Sequence, residues 1–439
     1  MDNGSIRQAT VSPTVLQLDH VLTAIVQCMA ATKDIKAFLA ALSALVRGST
    51  HLAALHDLLQ APQRHVWPSM LEPLDALWPL LNLSEISPAA ISLARDAMPV
   101  FSWVSVGPII NAWPHDLDAV EWLRLWSTKI THYKHNISDI VQGDPRLYDV
   151  LRQCTNPTDV DVYWSADADA ILEVVTTPAH RVRSLQVQHT TAAASVVLDR
   201  WLASGHADHL DFTYYSDDDG GAVDAALVPM LLKTTVLSSL VLRLDENELF
   251  ARLVVAAPLF IPLEELTIKR DWLGGTLSPV TLPSTLRRIM WRGMSCFPAA
   301  LQALATSVSH LDELTLIGCP LFPAAIKFLV GALPDWIHRG AKKITFVDCG
   351  IDDTAVIALA AALPRTTSRL GTILTIKDIA GLSVHSYVAL GKALASCHGV
   401  SMQLPLLQTF QTEAESRSIQ YRFDADCIVL ESPLHSSWV

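Results

Sequence analysis

Two short stretches of this sequence combine residue types that can bind metal ions. The first is HADHLD, in which His206, His209 and Asp211 offer the imidazole and carboxylate ligands that zinc takes in proteins. On a strand, His209 and Asp211 flank Leu210 and point the same way, so a third ligand must come from elsewhere. The second, Asp217 to Asp219 followed by two glycines, lacks the alternation of an EF-hand loop. We therefore predict a solvated strand start and a surface loop here, and no metal site.

The motifs of common catalytic sites are absent from the sequence. It contains no G-x-S-x-G, no Walker loop and no H-E-x-x-H, and no glycine-rich phosphate cradle follows a strand and opens a helix. Sixteen histidines are spread over the chain without a spacing that would place a general base. The sequence therefore predicts a protein that is not an enzyme and that needs no cofactor.

Charge and hydropathy limit the classes of partner. The 439 residues carry a formal net charge of -12, with 17% charged and 50% hydrophobic residues. Non-specific binding to nucleic acid or to anionic lipid needs clustered cations, so an acidic chain argues against both. The longest apolar run, Leu253 to Leu263, contains two prolines and is shorter than the roughly 20 residues of a membrane span. We expect neither nucleic acid nor a membrane as partner.

The N-terminus and the cysteines predict the cellular location. The first ten residues lack the cationic start and the apolar stretch of a secretory signal. Seven cysteines, an odd number, are scattered without a C-x-x-C pair, which fits reduced thiols better than a disulfide framework. A cytoplasmic location follows, and a nuclear one stays open.

A repeated strand signal organises the chain from about residue 155 onward. Hydrophobic-x-hydrophobic pairs recur at intervals of 23 to 30 residues and supply ten strand anchors: Val160, Leu185, Leu210, Leu240, Leu266, Ile289, Leu314, Ile344, Leu374 and Met402. The stretch from Leu311 to Leu333 shows the full unit, with L-x-x-L-x-L followed by apolar residues at helical spacing. Similar helical stripes lie between most other anchors: Ala193 to Leu202, Val223 to Leu232, Leu249 to Ala256, Ala299 to Val308, Ala355 to Leu363 and Ser386 to Ala395.

This pattern resembles the leucine-rich-repeat family, in its ribonuclease-inhibitor-like style with long helical returns. The resemblance implies an α/β solenoid over residues 155–410, with parallel strands on a concave face and helices on a convex face. Cys319 and Cys349 occupy the fifth position after their anchors, where the family places Cys or Asn pointing into the turn. The return after Leu266 contains Gly274-Gly275 and is predicted as a loop. Residues 411–439 are predicted as a C-terminal cap, with a hairpin after the linker Gln411 to Ser418.

An all-α region is predicted to precede the repeats. Residues 1–14 are expected to be a flexible arm, and residues 15–65 carry two apolar helical stripes separated by Thr32 to Asp34. The first stripe, with Lys33-Asp34-Ile35 and Trp67 after it, resembles an F-box, although Gln17-Leu18 stands where that family usually has Leu-Pro. The resemblance implies that the adaptor subunit of a cullin-type ubiquitin ligase binds this module, through four residues: Val21, Leu22, Ile25 and Ile35. The alternative is an amphipathic helical cap.

Residues 66–154 are predicted as a helical bridge rich in Trp and Pro. The dipeptide Trp-Pro occurs at Trp67, Trp78 and Trp113, and proline disfavours helix at the residue before it. Helices are predicted between these breaks, at Ala89 to Met98 and Leu117 to Trp126. Part of the latter, Val120 to Leu125, could alternatively form an irregular first strand.

The solvent-facing strand positions supply candidate binding residues. Three positions after each anchor, the side chain faces outward on the concave sheet, and the binding candidates at this position are Tyr163, Arg243, Lys269, Arg292, Ile317, Val347 and Lys377. Arg243, Lys269 and Arg292 belong to consecutive repeats and are predicted to form one row. In an acidic protein this row is a candidate docking stripe for an acidic or phosphorylated peptide, although outward strand positions are polar in any protein.

These features favour a non-enzymatic recognition protein. The first hypothesis is an F-box-like substrate receptor that binds its target on the concave face. The second is a repeat scaffold whose N-terminal helices only cap the solenoid. A nucleotide-operated immune receptor is disfavoured, because no phosphate-binding loop precedes the repeats. An exposed apolar stripe on the first helix would favour docking, whereas complete burial would favour a cap.

Overall fold

The structure is a computed structural model that describes residues 19–42, 50–61, 80–83, 86–87, 90–107, 118–136, 143–163, 165–188, 192–214, 229–231, 234–244, 262–270, 282–293, 301–302, 304, 310–321, 323–378, 381–407, 409–424 and 427–432. The chain divides into two compact units, residues 1–182 and 183–439. The predicted N-terminal arm, the triplet at 217–219, the loop at 274–275 and the predicted helix at 249–256 lie outside the described residues.

The first unit begins with three helices and continues with alternating helices and strands. Its helices are α1 Asp19–Gln27, α2 Thr32–Ala41, α3 Thr50–Gln60, α4 Ile91–Ala97, α5 Ala119–Trp126, α6 Pro145–Gln153 and α7 Ala168–Val175. Its strands are β1 Leu80–Asn82, β2 Trp103–Val106, β3 Ile130–His135 and β4 Asp159–Val162, and the neighbours pair in parallel. Among the described residues up to position 65, only helices occur, as predicted.

The prediction of a purely helical bridge over residues 66–154 is wrong. Strands β1, β2 and β3 lie in this segment and extend the repeat pattern backward, because Tyr133 is paired with Val160 and lies 27 residues before it. Strands β1 and β2 have only three and four residues, so their alternation is a weak signal. In β3 a buried His135 also replaces the second aliphatic residue of the strand signal.

The alternative of a strand at Val120 to Leu125 is also wrong, because helix α5 covers these residues. Asp118 caps that helix: its carboxylate accepts hydrogen bonds from the backbone N–H groups of Val120 and Glu121. The same device begins α6, where Asp144 accepts from the N–H of Arg146 and Pro145 occupies the first turn.

The second unit is a long parallel sheet with helical returns. Its strands are β5 Ser184–Gln188, β6 His209–Tyr214, β7 Ser239–Leu244, β8 Glu265–Arg270, β9 Arg288–Arg292, β10 Glu313–Ile317, β11 Lys343–Val347, β12 Thr367–Lys377, β13 His398–Pro405, β14 Tyr421–Asp424 and β15 Cys427–Glu431. Its helices are α8 Ala192–Leu202, α9 Pro323–His338, α10 Asp353–Ala362, α11 Val384–Leu394 and α12 Phe410–Ser416. In the predicted returns 223–232 and 299–308, residues 229–231, 301–302 and 304 are described, and they are helical.

The strand register confirms the periodic anchors. Strands β5 to β13 pair in parallel, and the register matches nine anchors one to the next, from Leu185 on β5 to Met402 on β13. Every anchor in this row is buried, and so is each second strand residue that follows at a spacing of two, such as Leu316 after Leu314. The spacing of two puts both on one face of the sheet. The second unit therefore has the architecture of a leucine-rich-repeat solenoid.

Cys319 and Cys349 point into the turns after β10 and β11. The thiol of Cys319 donates to the carbonyl of Trp291, and that of Cys349 to the carbonyl of Leu316, each on the preceding strand. These bonds satisfy backbone groups at a point where the ladder ends. Burial raises the pKa of the Cys349 thiol to about 11, so the thiol stays protonated and can donate.

An antiparallel hairpin ends the second unit. Strand β15 pairs with the last parallel strand β13, and β14 pairs with β15, so the hairpin covers the edge that β13 would otherwise present. The linker predicted over Gln411 to Ser418 is instead largely helix α12. Phe410 and Ala414, one helical turn apart, are fully buried, so packing forms a helix from a polar sequence.

Candidate binding site

The strand register brings three cations of the second unit into one row. Arg243 is paired with Lys269 across β7 and β8, and Lys269 with Arg292 across β8 and β9. We call these three residues the cation row. The same register continues through Ile317, Val347 and Lys377 on the next three strands. Neighbouring strands are about 4.8 Å apart, so side chains at matched positions lie side by side.

The buried anchors fix the direction in which these side chains point. Leu242, Ile268 and Trp291 immediately precede the members of the cation row and are buried. Because side chains alternate between the two faces of a strand, the cation row lies on the opposite face, which we call the outward face. Arg292 is exposed there, while Lys269 is half-buried.

One member of the cation row is held by a carboxylate. The guanidinium of Arg243 donates to Asp211 on β6 with a nitrogen to oxygen distance of 2.7 Å. Asp211 is 7% exposed, and it lies on the outward face one residue after its strand anchor. Lys269 and Arg292, by contrast, form no ion pair with any of the described residues.

Lys269 lies between two like charges. Partial burial, followed by the positive charges of Arg243 and Arg292, lowers the pKa of its ammonium below the ordinary 10.5, and Asp211 opposes this only in part. Unfavourable proximity of like charges is relieved when an anion binds. A negative charge bound at the cation row would therefore lower the electrostatic repulsion among its members.

Cations at the starts of nearby strands, in contrast to the cation row, have carboxylate neighbours. There, Arg288 pairs with Glu265 at 3.0 Å, and Lys342 and Arg287 lie 3.5 and 3.9 Å from Asp312. Acidic and basic residues alternate along that edge and neutralise one another. The described cations at these strand starts therefore have acidic neighbours, whereas Lys269 and Arg292 have none among the described residues.

The outward face also contains hydroxyl groups that have no partner among the described residues. Thr213 on β6 and Thr345 on β11 are more than nine-tenths buried, and no described residue supplies a hydrogen-bond partner for either side-chain oxygen. Buried polar groups are usually satisfied. Because both oxygens are covered, a bound chain would reach them only after the covering side chains move.

Lys377, at the other end of the register, lies at a cavity of about 400 Å³. The cavity is lined by Ile376, Lys377, Asp378, Gln403, Leu404, Pro405, Asp424 and Cys427. Tyr163, the remaining predicted binding residue, belongs to the first unit, where the ammonium of Lys134 lies 4.6 Å from the centroid of its ring. Its part in binding stays a prediction.

The residues of the HADHLD motif have structural partners. His209 shares a hydrogen bond with the hydroxyl of Ser239 at 2.8 Å, and Asp211 accepts from Arg243. Within the part of the chain that the structure describes, no group of three potential ligands is placed to hold a metal ion.

The N-terminal candidates fall into two groups. Leu22 and Ile35 are fully buried in the first unit, where α1 contacts the turn Met98–Val100, so neither can contact a partner directly. Ile25 is 36% exposed and Val21 is half-buried. With exposed Ala24 and Cys28 these residues form a stripe along one face of α1, which we call the α1 stripe.

Three site residues escaped the sequence reasoning. The sequence analysis treated Asp211 only as a possible metal ligand. In the strand register Arg243 is paired with Thr213, and Asp211 precedes Thr213 by two residues on the same strand, so Asp211 and Arg243 are diagonal neighbours. Asp378 and Asp424 lie 46 residues apart in sequence, and the hairpin that brings them to one cavity gives no pairing signal by itself.

Comparisons with known proteins leave the family open. No protein-family model matches the chain, and no curated protein matches it. No described helix is long and apolar enough to cross a bilayer. Among solved structures, a chain in the crystal structure of the yeast Rad7 and Elc1 complex is similar over 88% of this chain and 80% of its own length, with 13% sequence identity and a TM-score of 0.41.

Proposed function

We propose that this chain is a non-enzymatic recognition protein, and that the outward face of its second unit binds an anionic segment of a partner protein. The observation that carries the proposal is the cation row: three cations on consecutive strands, of which only Arg243 has a carboxylate partner among the described residues. At the starts of neighbouring strands, by contrast, Arg288 pairs with Glu265 and Lys342 with Asp312.

An anionic ligand gains in two ways at this face. Burial and, second to it, repulsion from the two arginines lower the pKa of Lys269, and a bound anion offsets that repulsion. The anion can also accept paired hydrogen bonds from the exposed guanidinium of Arg292. The protein carries a net charge of -12, so it repels most anions at long range. Binding therefore depends on local contacts, which gives the face selectivity for a segment that fits it.

A charge reversal tests this proposal. The ligand is a fluorescein-labelled peptide of six glutamates, with a phosphoserine peptide of equal charge as a second arm to separate carboxylate from phosphate recognition. Fluorescence anisotropy at about 0.1 M salt compares the native protein with Lys269→Glu plus Arg292→Glu. The matched control is Lys327→Glu plus Lys392→Glu, two exposed lysines on α9 and α11 with the same change in net charge.

We expect the cation-row variant to bind at least one peptide roughly tenfold more weakly than the native protein, and the control to bind nearly unchanged. Circular dichroism checks that both variants stay folded. Equal losses in both variants would show that only net charge matters, and an absence of binding by the native protein would overturn the proposal.

The proposal extends to the α1 stripe as a docking site for the adaptor of a cullin-type ubiquitin ligase, which would make the chain an F-box-like substrate receptor. The observation that favours docking is the exposure of Ile25 beside half-buried Val21. The burial of Leu22 and Ile35 favours the alternative, a scaffold in which α1 and α2 only cap the repeats. A cytoplasmic setting belongs to the proposal, because its free thiols persist in a reducing compartment.

A single exposed substitution separates these two functions. Ile25→Asp removes the centre of the α1 stripe without entering the core, and Ile357→Asp on α10 is the matched control at 40% exposure. Purified adaptor subunit is captured on each immobilised protein. Capture by the native protein and the control, lost in Ile25→Asp, supports the substrate receptor. No capture by the native protein leaves the scaffold.

A further inference from the structure

The cavity at Lys377 differs in charge from the cation row. Two carboxylates, Asp378 and Asp424, and one ammonium line it, so its lining carries net negative charge. Asp378 is exposed and pairs with no cation among the described residues. Asp424 has only a loose neighbour, the guanidinium of Arg422 at 3.7 Å, which bonds more closely to Glu431 at 2.8 Å. The cavity therefore favours a cationic group.

The cavity floor suits the aliphatic stem of a long basic side chain. Pro405 supplies apolar surface to the lining, and the side chain of Gln403 is held by a hydrogen bond with Thr375 at 3.1 Å. Lysine and arginine bury their methylene stems against apolar surface and keep the charged head near polar groups. The volume of about 400 Å³ accommodates one such side chain.

Half-buried apolar residues connect the two regions. Ile317 and Val347 lie between Arg292 and Lys377 in the strand register, on β10 and β11. Three strand steps of about 4.8 Å separate Arg292 from Lys377, which gives roughly 14 Å. An extended peptide advances about 3.3 Å per residue and covers this distance in about four residues.

We infer that the outward face binds an extended peptide of a partner protein with acidic residues at one end, apolar residues in the middle and a lysine or arginine about four residues beyond the last acid. The acidic residues contact the cation row, the apolar residues cover Ile317 and Val347, and the basic side chain enters the Lys377 cavity. This inference rests on the proposed function and assigns the peptide a direction across the strands. Charge complementarity at both ends is the property that selects the segment.

Three synthetic peptides test the basic end separately from the acidic end. The first has three glutamates, then Leu-Gly-Val, then arginine. The second replaces the arginine with citrulline, which keeps the shape and removes the charge. The third places the arginine directly after the glutamates. Affinities are measured by isothermal titration against the native protein and against Asp378→Asn plus Asp424→Asn.

The control variant is Asp199→Asn plus Asp335→Asn, which removes two carboxylates from helices α8 and α9 of the same unit. We expect the first peptide to bind the native protein and the control about fivefold more tightly than the other two peptides, and this preference to disappear in the cavity variant. Thermal unfolding of each variant checks that the fold is intact.

The remaining outcomes separate the inference from the proposed function. Equal binding of all three peptides, still abolished by Lys269→Glu plus Arg292→Glu, would overturn the inference and leave the proposed function standing. If Asp378→Asn plus Asp424→Asn still prefers the first peptide, the basic side chain does not bind in the Lys377 cavity, and the inference is overturned too. Failure of every peptide to bind the native protein would overturn both.

Discussion

Arg243 on β7 and Asp211 on β6 form an ion pair across neighbouring strands, with 2.7 Å between the guanidinium nitrogen and the carboxylate oxygen. Among the described acids, Asp211 alone pairs with a member of the cation row, so one of the three cations is neutralised and two have no described acidic partner. A carboxylate at this place sets how strongly the face attracts anions. It also holds the Arg243 side chain in position, and both effects can be measured.

Removing the charge of Asp211 should strengthen anion binding. In Asp211→Asn the amide oxygen can still accept from Arg243, but the row gains one net positive charge. We expect the glutamate peptide to bind about threefold more tightly, with a loss in the free energy of unfolding of about 1 to 3 kcal/mol because the carboxylate is largely buried. Asp312→Asn, at a strand start, is the control and should leave the affinity unchanged. A weaker affinity in Asp211→Asn would mean that the pair positions Arg243 more than it neutralises it.

The lowered pKa of Lys269 predicts a pH dependence of binding. Burial and the flanking arginines stabilise the neutral amine, so Lys269 loses its proton at a lower pH than an ordinary lysine with a pKa of 10.5. Affinity for the glutamate peptide should therefore fall as the pH rises through the lowered pKa. Lys269→Arg should retain its affinity, because a guanidinium does not titrate in this range. Parallel pH profiles of the native protein and Lys269→Arg would contradict this account.

Thiol reactivity should follow burial. Cys28 is exposed, whereas burial raises the pKa of Cys154 to about 12 and that of Cys349 to about 11. At pH 8 the thiolate fraction of Cys349 is on the order of a hundredfold lower than that of an ordinary thiol with a pKa of about 8.5. Iodoacetamide should label Cys28 first and reach Cys154 and Cys349 only in urea, as followed by mass spectrometry. Early labelling of Cys349 in the folded protein would show that its turn opens.

Two glycines in the left-handed backbone region should differ in their tolerance of a side chain. A Cβ at Gly399, where φ is +66°, would lie 2.6 Å from the backbone oxygen of Ser368, whereas a Cβ at Gly381, where φ is +85°, meets nothing within 4 Å. Gly381→Ala should cost about 1 to 2 kcal/mol from backbone strain alone. Gly399→Ala should cost roughly 3 kcal/mol or more, because β12 must also move. Urea unfolding gives both values, and equal costs would mean that β12 yields easily.

The repeat array was predictable because its signal is both periodic and redundant. Each anchor is followed two positions later by a second apolar residue. This pair occurs nine times between Leu185 and Met402, so a chance match at one position does not change the predicted register. The cation row followed from the same counting, since a fixed register carries the third position of each strand with the anchors. Neither result needed knowledge of the loops.

Other features depend on contacts that no periodic pattern records. Strands β1 and β2 are too short to show a clear alternation, and β3 has a buried His135 where the pattern expects an apolar residue. Helix α12 exists because Phe410 and Ala414 pack inward. Three of the four N-terminal candidates, Val21, Leu22 and Ile25, share the first helical stripe in the sequence, yet Leu22 is fully buried and Ile25 is 36% exposed. Which side of an amphipathic stripe is covered is a tertiary property.

The most direct test of the account is to locate a bound acidic peptide on the second unit. A peptide of three glutamates followed by benzoylphenylalanine is photocrosslinked to the native protein, and the attachment site is mapped by mass spectrometry. We predict adducts on the outward residues of β10 and β11, next to Ile317 and Val347. Adducts confined to helices α9 to α11 would contradict the claim that the strand face recognises its partner.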